Sequence, residues 1–130
     1  MTVLALDYGA ARTGVAVSDA TGTIAVPLEV VERAATPAGV RRIGEIVRER
    51  DAQRVIVGLP LTLRGEHGRQ ARETDEFVSL LRGALDVPVE TYDERFTTAL
   101  AARAASGAAP EDARAAAHLL ESYLERTAER

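Results

Sequence analysis

The stretch "LALDYGAARTGVAVSD", residues 4–19, decides the fold because it holds two apolar segments joined by a short glycine-bearing turn. Val3–Asp7 and residues 13–18 are both predicted strands, and the short connection between them predicts an antiparallel hairpin. Asp7 stands at the carboxyl end of the first strand, where ligands bind in open α/β sheets. A turn residue that accepts hydrogen bonds from local N–H groups explains Asp7 equally well.

The rest of the chain predicts a mixed α/β sheet of five strands, flanked by helices. Pro27 interrupts the third apolar segment, residues 24–31, and favours an edge strand or a bulge. "RVIVGL" is a continuous apolar run, typical of a strand buried on both faces. The glycine-punctuated segment 60–70 is predicted to be a mobile loop. The other predicted elements are a helix from the Thr36 cap to about Arg50, the strand Arg54–Leu59, a helix from about Gln70 to Ala84, a strand over 87–92, a short helix capped by Thr97 or Thr98, and a helix from Pro110 to about Arg126.

Composition limits the class of protein. A chain of 130 residues fits one domain with one core, and 46% hydrophobic with 28% charged residues is ordinary for a soluble globular protein. The absence of cysteine excludes a disulfide framework and a thiolate metal site. No segment approaches about 18 uninterrupted apolar residues, so we expect no membrane partner and a cytoplasmic location.

The charge pattern restricts the kind of nucleic-acid contact. The net charge of −4 counts against a large surface for nucleic acid. The basic residues are all arginines, which can make forked contacts with phosphate. A local basic patch beside an acidic site is compatible with both observations.

Four acids are candidates for chemistry. Asp93 and Glu94 follow the last predicted strand, and at most one of them would face Asp7, because side chains alternate along a strand. Asp112 lies on the apolar stripe of the last helix, together with Ala116, Leu119, Leu120 and Tyr123. A favourable contact with the helix dipole would explain an acid in the first turn, whereas an acid on an apolar face requires a partner.

Converging carboxylates raise one another's pKa unless a cation neutralises them. Oxygen ligands without histidine or cysteine suit Mg²⁺ or Mn²⁺, and two such ions can clamp the attacking and leaving oxygens of a phosphoryl displacement. The two histidines do not form a plausible ligand pair. His118 is expected at the helix surface, and His67 in the solvated loop.

Four segments occur in order along the chain: "ALDYGAARTGVAVSD", "VIVGLPLTLRGEHG", "TYDERFTT" and "DARAAAHLLESYL". In this order and spacing they resemble the YqgF-type pre-16S rRNA nucleases, also described as Holliday-junction-resolvase-like. The resemblance extends from Val3 to about Glu125. It implies a single RNase H-like nuclease domain over 1–130 that hydrolyses phosphodiester bonds with the help of a metal. The first segment alone also fits the phosphate loop of actin-like kinases and ATPases, but those chains are much longer.

The resemblance also assigns roles to residues. It implies Asp7, Asp93, Glu94 and Asp112 as the catalytic acids, with Asp7, Asp112 and either Glu94 or Asp93 holding Mg²⁺ or Mn²⁺. Arg12 matches a position that is often basic in the opening motif, and Thr97 and Thr98 match the family's paired hydroxyl residues. We take these three residues, with Arg64 and Arg69 of the predicted loop, as candidates for contact with substrate phosphate. Gly9 and Gly14 are expected to keep the hairpin slim, so that a phosphate backbone can approach; turn geometry alone would also explain Gly9.

The expected partner is precursor ribosomal RNA, with the protein a monomer or a weak homodimer. Two alternatives stay open. One is a non-catalytic nucleic-acid-binding or ribosome-assembly factor that keeps the fold. The other is a Holliday-junction resolvase that acts on branched DNA, because recognition of the 2′-OH leaves no readable motif in this sequence.

Overall fold

The computed structural model describes residues 1–61, 64–96 and 111–128. It confirms the predicted strands and helices that fall in these ranges, with small differences at their ends. The helix predicted after Thr97 or Thr98 lies outside the described residues. The elements are β1 (Val3–Asp7), β2 (Arg12–Ser18), β3 (Ala25–Glu32), α1 (Pro37–Glu49), β4 (Arg54–Leu59), α2 (Arg69–Ala84), β5 (Val89–Asp93), a 3-10 turn (Glu94–Phe96) and α3 (Glu111–Ala128).

The five strands form one mixed sheet in the order β3-β2-β1-β4-β5. β1 pairs antiparallel with β2, which confirms the predicted hairpin, and it pairs parallel with β4 on its other side. β3 lies at the edge, and its register shifts beside Pro27: Val15 pairs with Glu29 and Ala16 with Pro27. Leu28 is therefore an extra residue in β3, so the proline coincides with both an edge and a bulge.

Alternating side chains divide the interior into two cores, one on each face of the sheet. Leu4 and Leu6 pack with α1 and α2, whereas Val3 and Ala5 pack with α3. By the same alternation Asp7 lies on the α3 face, at the carboxyl end of β1. This register places the first candidate acid on the side of the sheet that α3 covers.

α3 is more deeply buried than the sequence predicted. It contacts β1, β2 and β3, so a wider part of the helix surface is buried than the single apolar stripe seen in the sequence. His118 is only 6% exposed, and its prediction as a surface residue was wrong for this reason. Within the described ranges, no helix is long and apolar enough to cross a membrane.

Candidate active site

The carboxyl groups of Asp7 and Glu94 are in hydrogen-bonding contact. Two carboxyl groups can share a hydrogen bond only when one of them is protonated. Burial, the contact with Asp7 and the charges of Asp7 and Asp93 raise the pKa of Glu94 to about 8. Burial raises the pKa of Asp7 as well, the hydrogen bond from Glu94 opposes that rise, and the charge of Asp112 adds to it. Near neutral pH the pair therefore holds one proton, which reduces the repulsion between the two carboxyl groups. A bound cation would reduce the same repulsion in place of the proton.

Gly58 allows Glu94 to reach Asp7. β4 lies between β1 and β5, and the chain leaves β5 at Asp93, so the Glu94 side chain must pass over β4. A Cβ atom on Gly58 would lie 3.0 Å from both Cγ and Oε1 of Glu94. Sequence reasoning missed this residue. The available signal was a glycine inside an otherwise apolar buried strand, which indicates a close approach by another group.

Asp93 is held away from the pair. Its Oδ2 atom lies 2.6 Å from Nη2 of Arg95, and its Oδ1 atom accepts a hydrogen bond from the Arg95 N–H group at 2.9 Å. The Arg95 guanidinium lowers the pKa of the Asp93 carboxyl group. Of the two neighbouring acids, Glu94 is the one that contacts Asp7, in agreement with the expectation that at most one would face it.

Gly14 brings Asp112 towards Asp7. Gly14 pairs with Asp7 in the β1–β2 ladder, and a Cβ atom on it would lie 1.8 Å from the backbone oxygen of Asp112. The start of α3 thus occupies the space that a side chain would take. The expectation that Gly14 leaves room for phosphate was wrong, because helix backbone fills that room. At Gly9 a Cβ atom would lie 2.5 Å from the Arg12 oxygen, so turn geometry suffices there.

Arg12 neutralises Asp112 in this structure. Its Nε atom lies 3.3 Å from Oδ2 of Asp112, in an ion pair that is open to solvent. In the part of the chain that the structure describes, no three Asp, Glu, His or Cys side chains stand close enough to hold a metal ion. The Asp7–Glu94 pair fits a divalent cation by its oxygen atoms and its excess negative charge. Asp112 would complete the ligand set only after it separates from Arg12.

A cavity of about 310 Å³ opens beside the pair, small for a ligand site. The turn between β1 and β2 forms one wall, and Gln70, Glu73 and Thr74 of α2 form another. The Tyr8 ring, also in the lining, stacks on Phe77 of α2 with the ring centres 4.4 Å apart. This contact fixes the distance between the two walls.

The other candidate phosphate contacts lie at the edge of the site or outside the described ranges. Arg64 is exposed. Arg69 begins α2 instead of lying in a loop, and its Nε atom is 3.5 Å from Oε1 of Glu73. Thr97 and Thr98 fall outside the described residues. His67 is exposed, as expected, with Nε2 3.6 Å from Oδ2 of Asp75.

Comparison with known proteins gives consistent matches. The family model described as "RuvX: Holliday junction resolvase" matches residues 1–126. A Chloroflexus aggregans protein named "Putative pre-16S rRNA nuclease" is 46% identical over 100 residues, which cover 77% of this chain and 70% of that protein. A Rubrobacter xylanophilus protein of the same name is 46% identical, with 95% of this chain and 91% of that protein covered.

Among solved structures, this chain is similar to Thermus thermophilus RuvC in complex with a Holliday junction substrate. The TM-score is 0.68 at 18% identity, and the match covers 99% of this chain and 96% of RuvC. Similarity at this identity shows the fold, and it confirms the predicted RNase H-like class.

Proposed function

Because the chain belongs to the RuvX family, we propose that it is a metal-dependent nuclease that processes the ends of precursor 16S ribosomal RNA in the cytoplasm. The observation that carries this proposal is the Asp7–Glu94 pair at the carboxyl end of β1, where two carboxyl groups share a proton beside an open cavity. A protein that only binds RNA gains nothing from placing negative charge against phosphate.

Asp7, Glu94 and, once free of Arg12, Asp112 would hold Mg²⁺ or Mn²⁺. When bound, such ions lower the pKa of the attacking water and stabilise the leaving oxygen. Glu94 must lose its proton before it can act as a ligand, so metal affinity should fall as the pH drops below about 8. Arg12 would then be free to bind a substrate phosphate with its guanidinium fork.

The test is cleavage of RNA that spans a mature end of 16S rRNA, alongside a four-way DNA junction. We expect cleavage of the RNA in Mg²⁺ or Mn²⁺, none in EDTA, and none by an Asp7→Asn variant. Binding of RNA without cleavage in either metal would favour the assembly-factor alternative. Cleavage of the junction alone would favour a resolvase.

Asparagine at Asp112 should separate a catalytic role from a structural one. The ion pair with Arg12 is solvent-exposed, so its loss should change the free energy of unfolding by less than about 1 kcal/mol. Cleavage should fall at least about tenfold, because a metal ligand is lost. A urea melt and the RNA cleavage assay measure the two effects. A variant that is less stable but cleaves normally would contradict the assignment of Asp112 as a ligand.

A further inference from the structure

Arg33 has an unusual backbone conformation that its neighbours impose. It follows β3 with a φ of 47°, in the left-handed region that residues with a side chain avoid. Its N–H group donates to the Ala11 oxygen at 3.0 Å, and its own oxygen accepts from N–H and Oγ1 of Thr36, at 3.0 and 2.7 Å. A Cβ atom on Gly39 would lie 2.5 Å from that oxygen, so α1 packs closely against it. The residue is fixed from both the β1–β2 turn and α1.

This position lies at the same end of the sheet as the Asp7–Glu94 pair. Glu32, the last residue of β3, pairs with Arg12 at the start of β2, and Asp7 ends the next strand along. Arg33 therefore lies two strands to the side of Asp7, about 10 Å by the usual strand spacing, and further towards the end of the sheet, because Asp7 pairs with Gly14 and not with Arg12. Its hydrogen bond to Ala11 connects it directly to the turn that contains Arg12.

The Arg33 side chain is exposed. Among the described residues it has no acidic partner, in contrast to Arg12 with Asp112 and Arg69 with Glu73. Asp51, with a φ of 53°, is the other non-glycine residue in this backbone region within the described ranges. Aspartate tolerates the region well, but arginine gains nothing structural there, and a turn chosen for shape alone would favour glycine or asparagine.

We propose that Arg33 binds a phosphate of the RNA substrate, at a nucleotide other than the one that is cleaved. The inference rests on the proposed function and adds a binding residue to it. A guanidinium can form two parallel hydrogen bonds to one phosphate. The fixed backbone attaches this guanidinium at the same end of the sheet as an acidic site, in a chain of net charge −4. Because the backbone that carries this side chain is already fixed, less conformational entropy is lost when phosphate binds.

The test uses Arg33→Asn, which keeps a residue that tolerates the left-handed region but removes the charge. Arg33→Lys retains the charge without the fork, and Arg50→Ala removes an exposed arginine from the opposite end of the sheet. Each change is made in an Asp7→Asn chain, so that RNA is not consumed. Binding of labelled single-stranded RNA is measured over a range of salt concentrations, with a four-way DNA junction in parallel and a thermal melt of each variant.

We expect Arg33→Asn to weaken RNA binding about tenfold and to lower the salt slope by about one, as the loss of one phosphate contact predicts. Its melting temperature should stay the same or rise, because asparagine relieves the backbone conflict. Arg33→Lys should keep the slope, and Arg50→Ala should change nothing. If the parent chain binds RNA and Arg33→Asn binds it equally well with the same salt slope, the inference about Arg33 is wrong but the proposed function stands. If the parent chain binds no RNA, or only the junction, the proposed function fails with it.

Discussion

Alanine at Gly14 is expected to abolish RNA cleavage and to lower the free energy of unfolding by about 3 kcal/mol, at the upper end of overpacking costs. The added methyl group would lie 1.8 Å from the backbone oxygen of Asp112, and a backbone atom cannot rotate away as a side chain could. Either α3 moves off β2 or the β1–β2 ladder distorts at the pair that Gly14 makes with Asp7. Both outcomes separate Asp112 from Asp7.

Gly83→Ala is the matched control. Gly83 lies in α2, where an added Cβ atom would meet nothing within 4 Å, so alanine should stabilise the helix by up to about 1 kcal/mol and leave cleavage unchanged. Urea melts and the RNA cleavage assay are run on both variants. A Gly14→Ala protein with normal stability and normal cleavage would show that α3 does not pack on β2 as the structure has it.

The fold was largely predictable because its signals are local. The apolar segment at residues 3–6 and the continuous apolar run in β4 each predict a strand without knowledge of the rest of the chain. Thr36 and Pro37 predict the start of α1, and Thr36 indeed accepts a hydrogen bond from the Gly39 N–H group. Pro27 predicted an edge or a bulge, and the structure contains both.

The candidate site was less predictable because it depends on how distant segments meet. Strand alternation limits the choice between Asp93 and Glu94 to one residue, but cannot say which, since the chain turns at that point. Gly14 is needed because α3 packs directly on it, and Gly58 because the Glu94 side chain crosses it. In neither case can the contacting group be inferred from the sequence around the glycine. The ion pair of Arg12 with Asp112 likewise joins residues that are far apart in the sequence.

Glutamine at Glu94 is expected to remove most of the pH dependence of stability in metal-free protein, and to reduce cleavage at least about a hundredfold through loss of a metal ligand. The pKa of Glu94 is raised to about 8 in the folded protein, from an ordinary value of 4.5. The folded state therefore binds the proton more tightly than the unfolded chain does. This contribution to stability is fully present below pH 4.5 and is lost as the pH rises towards 8.

Urea melts in EDTA between pH 5 and 8 measure this effect. Wild-type stability should decline over the range, by less than the ~1.4 kcal/mol per pH unit of a fully buried group, because water screens the partly exposed pair. Glu94→Gln should be much flatter, since its amide has no proton to lose. Asp93→Asn is the control: burial and Asp7 are larger causes of the raised pKa of Glu94 than the Asp93 charge is, so this variant should keep most of the decline. A Glu94→Gln protein that keeps the full wild-type decline would place the proton elsewhere, and the Asp7–Glu94 pair would no longer support a metal site.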